Sequence, residues 1–186
     1  MAFLSRQNAE PQQASQRELL MGKFSRSRGT ILAVVAFSVV NILLMVTNAN
    51  LYFLFSAYVP MILLDMGMFY CGKYPDGYYE EEIAFLPDTF LWATAAIAGL
   101  ILLAYLLCWI FSKKASAGWM IFALVLISLD TGLMFLMNGF AIAYLPDTII
   151  HIGIIVSLSK GISACHKLKN LPPESVDGSV VEIVGE

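Results

Sequence analysis

Residues 89–111 read TFLWATAAIAGLILLAYLLCWIF, an unbroken run with no formal charge. A helix needs about 20 mostly apolar residues to cross a bilayer, where it must pair all of its own backbone groups in the absence of water. This run is long enough, and it has company on both sides. Between Thr30 and Cys71 the only charge is Asp65, and between Ala115 and Pro146 the only charge is Asp130. Five segments approach the length of a span: 30–48, 51–70, 89–111, 118–137 and 141–159. The fifth is the most polar, with Asp147 and His151 in its first half.

The composition agrees. The chain has 186 residues, 59% apolar and 13% charged, with a mean hydropathy of +0.74. Soluble domains run at about 45–50% apolar and about 25% charged. A soluble enzyme, a disordered tail protein and a secreted disulfide scaffold are excluded. A net charge of −3 provides no basic field for nucleic acid. The expected fold class is all-α: a polytopic helical membrane protein of five apolar helices whose principal partner is the lipid bilayer. A membrane-protein partner or a second copy is compatible with that class. Cys71, Cys108 and Cys165 form no CxxC pair, so neither a disulfide framework nor a zinc site follows. No glycine-rich phosphate loop, haem pair or nucleotide motif is present, and no cofactor or metal is expected.

Charge divides the chain into regions. Residues 1–29 form a basic leader carrying Arg6, Arg17, Lys23, Arg26 and Arg28 against Glu10 and Glu18. Residues 30–160 are the membrane domain, and 161–186 a polar tail expected to be disordered after 170. No cleavable signal precedes the first apolar run, which is expected to act as an uncleaved anchor with the N-terminus cytoplasmic. Ser15-Gln-Arg-Glu18 is a capping-box pattern, and Leu19, Leu20, Met21 and Phe24 follow it among basic residues. A short amphipathic surface helix and an irregular basic leader both fit. The loop between the second and third segments is acidic, with Asp76, Glu80, Glu81, Glu82 and Asp88 against Lys73.

Orientation depends on the number of crossings. With five, the basic residues divide six to five between the two sides. With four, where one of 30–48 and 51–70 is re-entrant or interfacial, every Lys and Arg except Lys73 lies on one side. The positive-inside rule favours four crossings and hydropathy alone favours five. The aromatic stretch LYFLFSAY (51–58), just before Pro60, suits an interface.

AYVPMILLDMGM (57–68) aligns without gaps to AYLPDTIIHIGI (143–154). If this is a duplication, hairpins 30–70 and 118–159 flank helix 89–111, and with five crossings the halves are inverted, as in many transporters. Chance similarity within an apolar alphabet is the competing explanation. Short polar joints, Asn48-Ala49-Asn50 and Asn138-Gly139-Phe140, read as tight turns. Ala95 and Gly99 would let another helix approach closely.

Polar side chains at membrane depth are costly and so are candidates for function. Four stand out: Asn41, Asp65, Asp130 and His151. The repeat matches Asn41 with Asp130 and Asp65 with His151. Such groups can exchange protons, bind a cation, or simply hold helices together by hydrogen bonds. Asp147 lies close to a helix start and reads as a cap. Asp130-Thr131-Gly132 carries the letters of an aspartic-protease motif, and Asp65 would be its carboxylate partner. That hydrolase reading is the alternative to a small transporter-like unit or an accessory subunit of a membrane complex, and a purely structural adaptor is the third.

The stretch YFLFSAYVPMILLDMGMFYCGKYPDGYY (52–79) resembles a segment of small, uncharacterised multi-pass membrane proteins of Gram-positive bacteria. The resemblance rests on Tyr52-Phe-Leu-Phe-Ser-Ala57, Pro60, Gly67-Met68-Phe69 and Cys71-Gly72-Lys73-Tyr74-Pro75. It implies a multi-pass protein of a bacterial plasma membrane and no particular activity.

Overall fold

The computed structural model describes residues 2–49, 51–75, 77–79, 84–139 and 142–171. Expectations about Glu80, Glu81, Glu82 and the tail beyond 171 lie outside them. The described residues form five α-helices and no strand: α1 (Ala2–Val46), α2 (Tyr58–Tyr70), α3 (Asp88–Phe111), α4 (Ala117–Asn138) and α5 (Leu145–Asn170). Four contain segments long and apolar enough to cross a membrane: Gln16–Val46, Asp88–Lys114, Ala117–Asn138 and Leu145–Asn170. The exception is α2. Its 13 residues span ~20 Å, short of a hydrocarbon core of about 30 Å.

Two helices run further than their apolar segments. The expected first helix, 30–48, is the second half of α1, and the expected fifth, 141–159, continues as α5 to Asn170. The reason is a shared seam. Leu20, Phe24, Ser27, Ile31, Val34, Ser38 and Asn41 are all buried, at alternating steps of four and three. On α5 the same rhythm buries Asp147, His151, Ile154, Leu158, Gly161 and Cys165. This is the 3.5-residue period of helices packed along their length. It passes straight through the basic leader, which is therefore held on α5 as part of one long helix. Hydropathy misses this because Lys23, Arg26 and Arg28 occupy the intervening positions.

The helices approach most closely at two glycines. A side chain at Gly161 would collide with Ser27 and with Met120 Cε, and Ser27 Oγ donates to the Ser157 carbonyl across the same contact. A side chain at Gly67 would strike Thr94 and come within 3.3 Å of Leu91 Cα, which fixes α2 against α3. The close approach expected at Ala95 and Gly99 is not made there. Those residues line a shallow groove with Val39 and Leu64, and a Cβ at Gly99 would meet nothing within 4 Å.

The path between α1 and α2 sets the topology. Asn48, in the left-handed region at φ 52°, ends α1: Ala49 N–H donates to Leu44 C=O and Asn48 N–H to Met45 C=O, both at 2.9 Å. The chain then turns back and descends beside α1 without forming helix. Phe53 N–H donates to Asn41 Oδ1 at 2.9 Å, and four residues later Ala57 N–H donates to Ser38 Oγ at 2.8 Å. Ser38 lies eight residues before the end of α1, a depth of ~12 Å. Phe37 packs on Phe53 and Phe55, with ring centroids 5.6 and 6.0 Å apart. From there α2 climbs back to the same face. It ends at Gly72 (φ 65°), where Lys73 N–H closes on Met68 C=O at 2.9 Å, and Lys73 pairs with Asp88 at the start of α3 at 2.8 Å.

The segment 51–70, expected as one helix, is thus an extended descent and a half-helix. The first repeat copy is a re-entrant loop with α2 running in the same direction as α1, whereas the second copy lies in the antiparallel pair α4–α5. The two copies lack the inverted relation that five crossings would have produced. The leader, the Lys113–Lys114 turn and the end of α5 share one face, and residues 47–49, 71–75 and 84–87 lie at the other.

Candidate functional site

The half-helix α2 begins inside the bundle, and its first N–H groups need acceptors there. No side chain of its own supplies one. The acceptor comes from α4: Tyr58 N–H donates to Asp130 Oδ2 at 2.9 Å and Val59 N–H to Asp130 Oδ1 at 2.8 Å. A carboxylate bridging two amides at a helix N-terminus is an anion in the place the helix dipole favours. Asp130 is 3% exposed.

The same carboxylate meets His151 of α5, whose Nε2 lies 3.3 Å from Asp130 Oδ2 with the ring 1% exposed. The other ring nitrogen, Nδ1, is 2.8 Å from the Asp147 carbonyl oxygen. A carbonyl only accepts, so Nδ1 carries a proton. Nε2 and Oδ2 then hold one proton between them, as imidazolium and carboxylate or as neutral imidazole and carboxylic acid. Without that proton, two lone pairs would face each other in a buried space.

Asn41 meets neither group. It secures the descending strand, accepting from Phe53 N–H and donating through Nδ2 to Phe53 C=O at 2.7 Å and to Ser56 Oγ at 2.9 Å. Irregular backbone survives at membrane depth only when protein groups satisfy it. Ser38, Asn41 and Asp130 do so here, and among the described residues no buried side-chain polar atom lacks a partner.

Asp65 lies on α2, seven residues or ~10 Å beyond Tyr58, and its Oδ1 accepts from the Tyr74 hydroxyl at 2.5 Å. Among the described residues no hydrogen bond joins it to Asp130. Of the four sequence candidates, then, Asp130 and His151 come together, across the matching that the repeat suggested. Asn41 braces the same loop from α1, and Asp65 stands at the rim.

Above the pair a cleft of about 370 Å³ is lined by Met45, Tyr52, Tyr58, Asp65, Tyr144 and Asp147, among others. A neighbouring cleft of about 450 Å³ shares Met45, Tyr52 and Met61 with it and reaches Asn41 and Tyr74. Both lie on the face of the 47–57 loop, and no Lys or Arg lines either. Toward the opposite face, Val34, Tyr105, Ile127 and Ile154 are buried together in the core.

Sequence reasoning passed over Asp147, read as a cap. It lines the cleft and accepts from the Tyr52 hydroxyl at 3.4 Å. Ser38 was also missed, although a hydroxyl three residues before Asn41 in an apolar run places both on one helical face.

The rim can be tested by titration. Burial first, and then the hydrogen bond to Asp65, push the Tyr74 phenol well above its ordinary range. A pKa raised in the folded state contributes stability that is complete below pH ~10, the unfolded value, and is lost as pH rises through the folded value. The absorbance difference at 295 nm between the wild-type protein and Tyr74→Phe should therefore develop above pH 10. In an Asp65→Asn background it should move down. A Tyr74 signal centred at the free-tyrosine value would contradict the contact.

Compared with models of known families, with curated proteins and with solved structures, the chain matches none.

Proposed function

We propose that this protein is a small transporter-like unit of the plasma membrane, with the Asp130–His151 pair as its proton-carrying group. The observation that carries the proposal is the position of that pair: buried at the N-terminus of a re-entrant half-helix and bonded to Tyr58 and Asp147, both of which line the cleft. Ionisable groups at membrane depth that face a cavity are characteristic of proton and ion pathways. Interrupted helices at mid-membrane are characteristic of transporter binding sites.

The chemistry follows from the hydrogen bonds. The proton shared by Nε2 and Oδ2 keeps His151 and Asp130 in attraction, and Asp130 in turn holds the first turn of α2. Loss of that proton sets carboxylate against imidazole and separates His151 from Asp130, while the carboxylate keeps the two amides of α2. Proton occupancy and the α4–α5 contact at His151 are thereby coupled. Asp65 and Asp147, with no basic residue opposing them in the cleft, draw protons or small cations toward the pair. The buried apolar layer beneath the pair closes the route toward the other face.

Ten of the eleven Lys and Arg residues share the face of the leader, and only Lys73 lies on the cleft side. This distribution supports a cytoplasmic leader and an outward-facing cleft. The resemblance of 52–79 to small membrane proteins of Gram-positive bacteria supports a bacterial plasma membrane, and it covers the re-entrant segment itself.

The test is proton entry into proteoliposomes of the full chain, read with trapped pyranine under a potassium–valinomycin potential. Protein-dependent acidification should fall to the level of empty liposomes in Asp130→Asn and decrease in Asp65→Asn. Unchanged rates in both variants would assign these carboxylates to architecture alone and overturn the transport reading.

A further inference from the structure

A second concavity lies at the opposite face, between α1 and α5, with a volume of about 550 Å³. Its lining changes character along its length. At the deep end are Gly153 and Val156, then Ser157 with Ser27, beside them Lys160 and Arg26, and at its mouth Lys23 of α1 and Lys167 of α5. Gly153 is eight residues from the start of α5, or ~12 Å from the cleft face, so it lies well inside a core of about 30 Å. Lys167, 22 residues from that start, reaches ~33 Å and emerges at the headgroup level. Thr30 meets Ser157 at 3.0 Å, so Arg26, one turn before Thr30 on the antiparallel helix, is level with Gly161 at ~24 Å.

Four cations therefore converge on one groove from two helices. All four are exposed, and none has a carboxylate partner among the described residues. Like charges gathered in this way repel one another unless an anion joins them. A soluble anion would need only the mouth. This groove continues past hydroxyls into hydrocarbon, and the order cation, hydroxyl, apolar wall is the order of phosphate, ester and acyl chain in a glycerophospholipid. Basic pockets between spanning helices on the cytoplasmic side are a recurring form of headgroup site.

We propose that the α1–α5 groove binds one anionic glycerophospholipid. Its phosphate lies among Lys23, Arg26, Lys160 and Lys167, and an acyl chain runs along Gly153 and Val156. The proposal is independent of the transport reading, which concerns the other face. Because the groove is walled by the leader part of α1, a bound lipid also secures the leader on α5.

Native mass spectrometry of the detergent-solubilised full chain tests this, with dioleoyl phosphatidylglycerol, dioleoyl phosphatidylcholine and inorganic phosphate as probes. One phosphatidylglycerol should be retained per chain in preference to phosphatidylcholine, with affinity lowered about fivefold for each of the four cations changed to Gln. A Cβ at Gly153 would meet nothing within 4 Å, so Gly153→Phe fills the groove without disturbing the fold and should weaken the same lipid. Lys113→Gln with Lys114→Gln, charges of the same face outside the groove, should leave it unchanged. Equal retention of the two lipids, an equal loss in the Lys113/Lys114 variant, or displacement of phosphatidylglycerol by inorganic phosphate would each overturn the proposal.

Discussion

Asp130→Ala is expected to lower the stability of the detergent-solubilised protein by about 3–5 kcal/mol, the range for removing one member of a buried charged pair. The substitution strands three groups at once: the N–H of Tyr58, the N–H of Val59 and Nε2 of His151. Each unsatisfied buried group costs about 1–3 kcal/mol. Asp130→Asn keeps one acceptor oxygen for the amides and should cost less than the alanine variant. Equilibrium unfolding monitored by tryptophan fluorescence gives both values. If alanine and asparagine are equally mild, at under about 1 kcal/mol, the carboxylate does not hold α2.

The second large effect is expected at Asn41. Asn41→Leu retains approximate volume but removes the partner of Phe53 N–H, one of the two partners of Phe53 C=O and one partner of Ser56. Asn41 is 2% exposed, and orphaning Phe53 N–H while weakening the hold on its carbonyl implies a loss of about 1–3 kcal/mol, partly offset by the added apolar surface. The location of the loss matters more than its size. Hydrogen exchange should accelerate across 51–57 and the first turn of α2 while α4 and the membrane part of α5 keep their protection, because the descending strand can open without separating the long helices. Uniform acceleration across all five helices would contradict a local role.

The two substitutions act on one object, the re-entrant segment, and that segment was the least legible part of the sequence. LYFLFSAY is as apolar as a helix, and hydropathy measures transfer of side chains without saying where the backbone finds its hydrogen bonds. Those bonds come from Ser38, Asn41 and Asp130, whose backbone partners lie 19, 12 and 71 to 72 residues away in sequence. No local pattern announces an N-terminal cap supplied by a different helix. The indications present were indirect: a polar face formed by Ser38 and Asn41, a proline in the first turn of α2, and a distribution of charge that favours four crossings over five.

The long helices were easier. The run 89–111 lies within one residue of α3, and 118–137 within one residue of α4 at each end, since apolar length and flanking turns decide both. The extension of α1 and α5 into charged sequence required reading every third or fourth residue and disregarding the rest. Viewed in that way, Leu20 and Phe24 belong to the same stripe as Ile31 and Val34. The capping-box pattern at Ser15 falls inside α1 and starts no helix, and the amphipathic residues after it are the outer end of the packed seam. Of the site, Asp130 and His151 were visible as costly residues, but their meeting was not, because the repeat paired each with a different partner.

The central claim is that 51–70 enters and leaves by one face, so that the chain crosses four times. Single cysteines at Gly22, Tyr78, Lys114 and Lys169, introduced after replacing Cys71, Cys108 and Cys165 with Ala, report it through a membrane-impermeant maleimide applied to intact cells and to inverted vesicles. Four crossings predict that Gly22→Cys, Lys114→Cys and Lys169→Cys react from one side and Tyr78→Cys from the other. Reaction of Gly22→Cys together with Tyr78→Cys, and of Lys114→Cys with Lys169→Cys from the opposite side, would mean five crossings and would contradict the re-entrant fold.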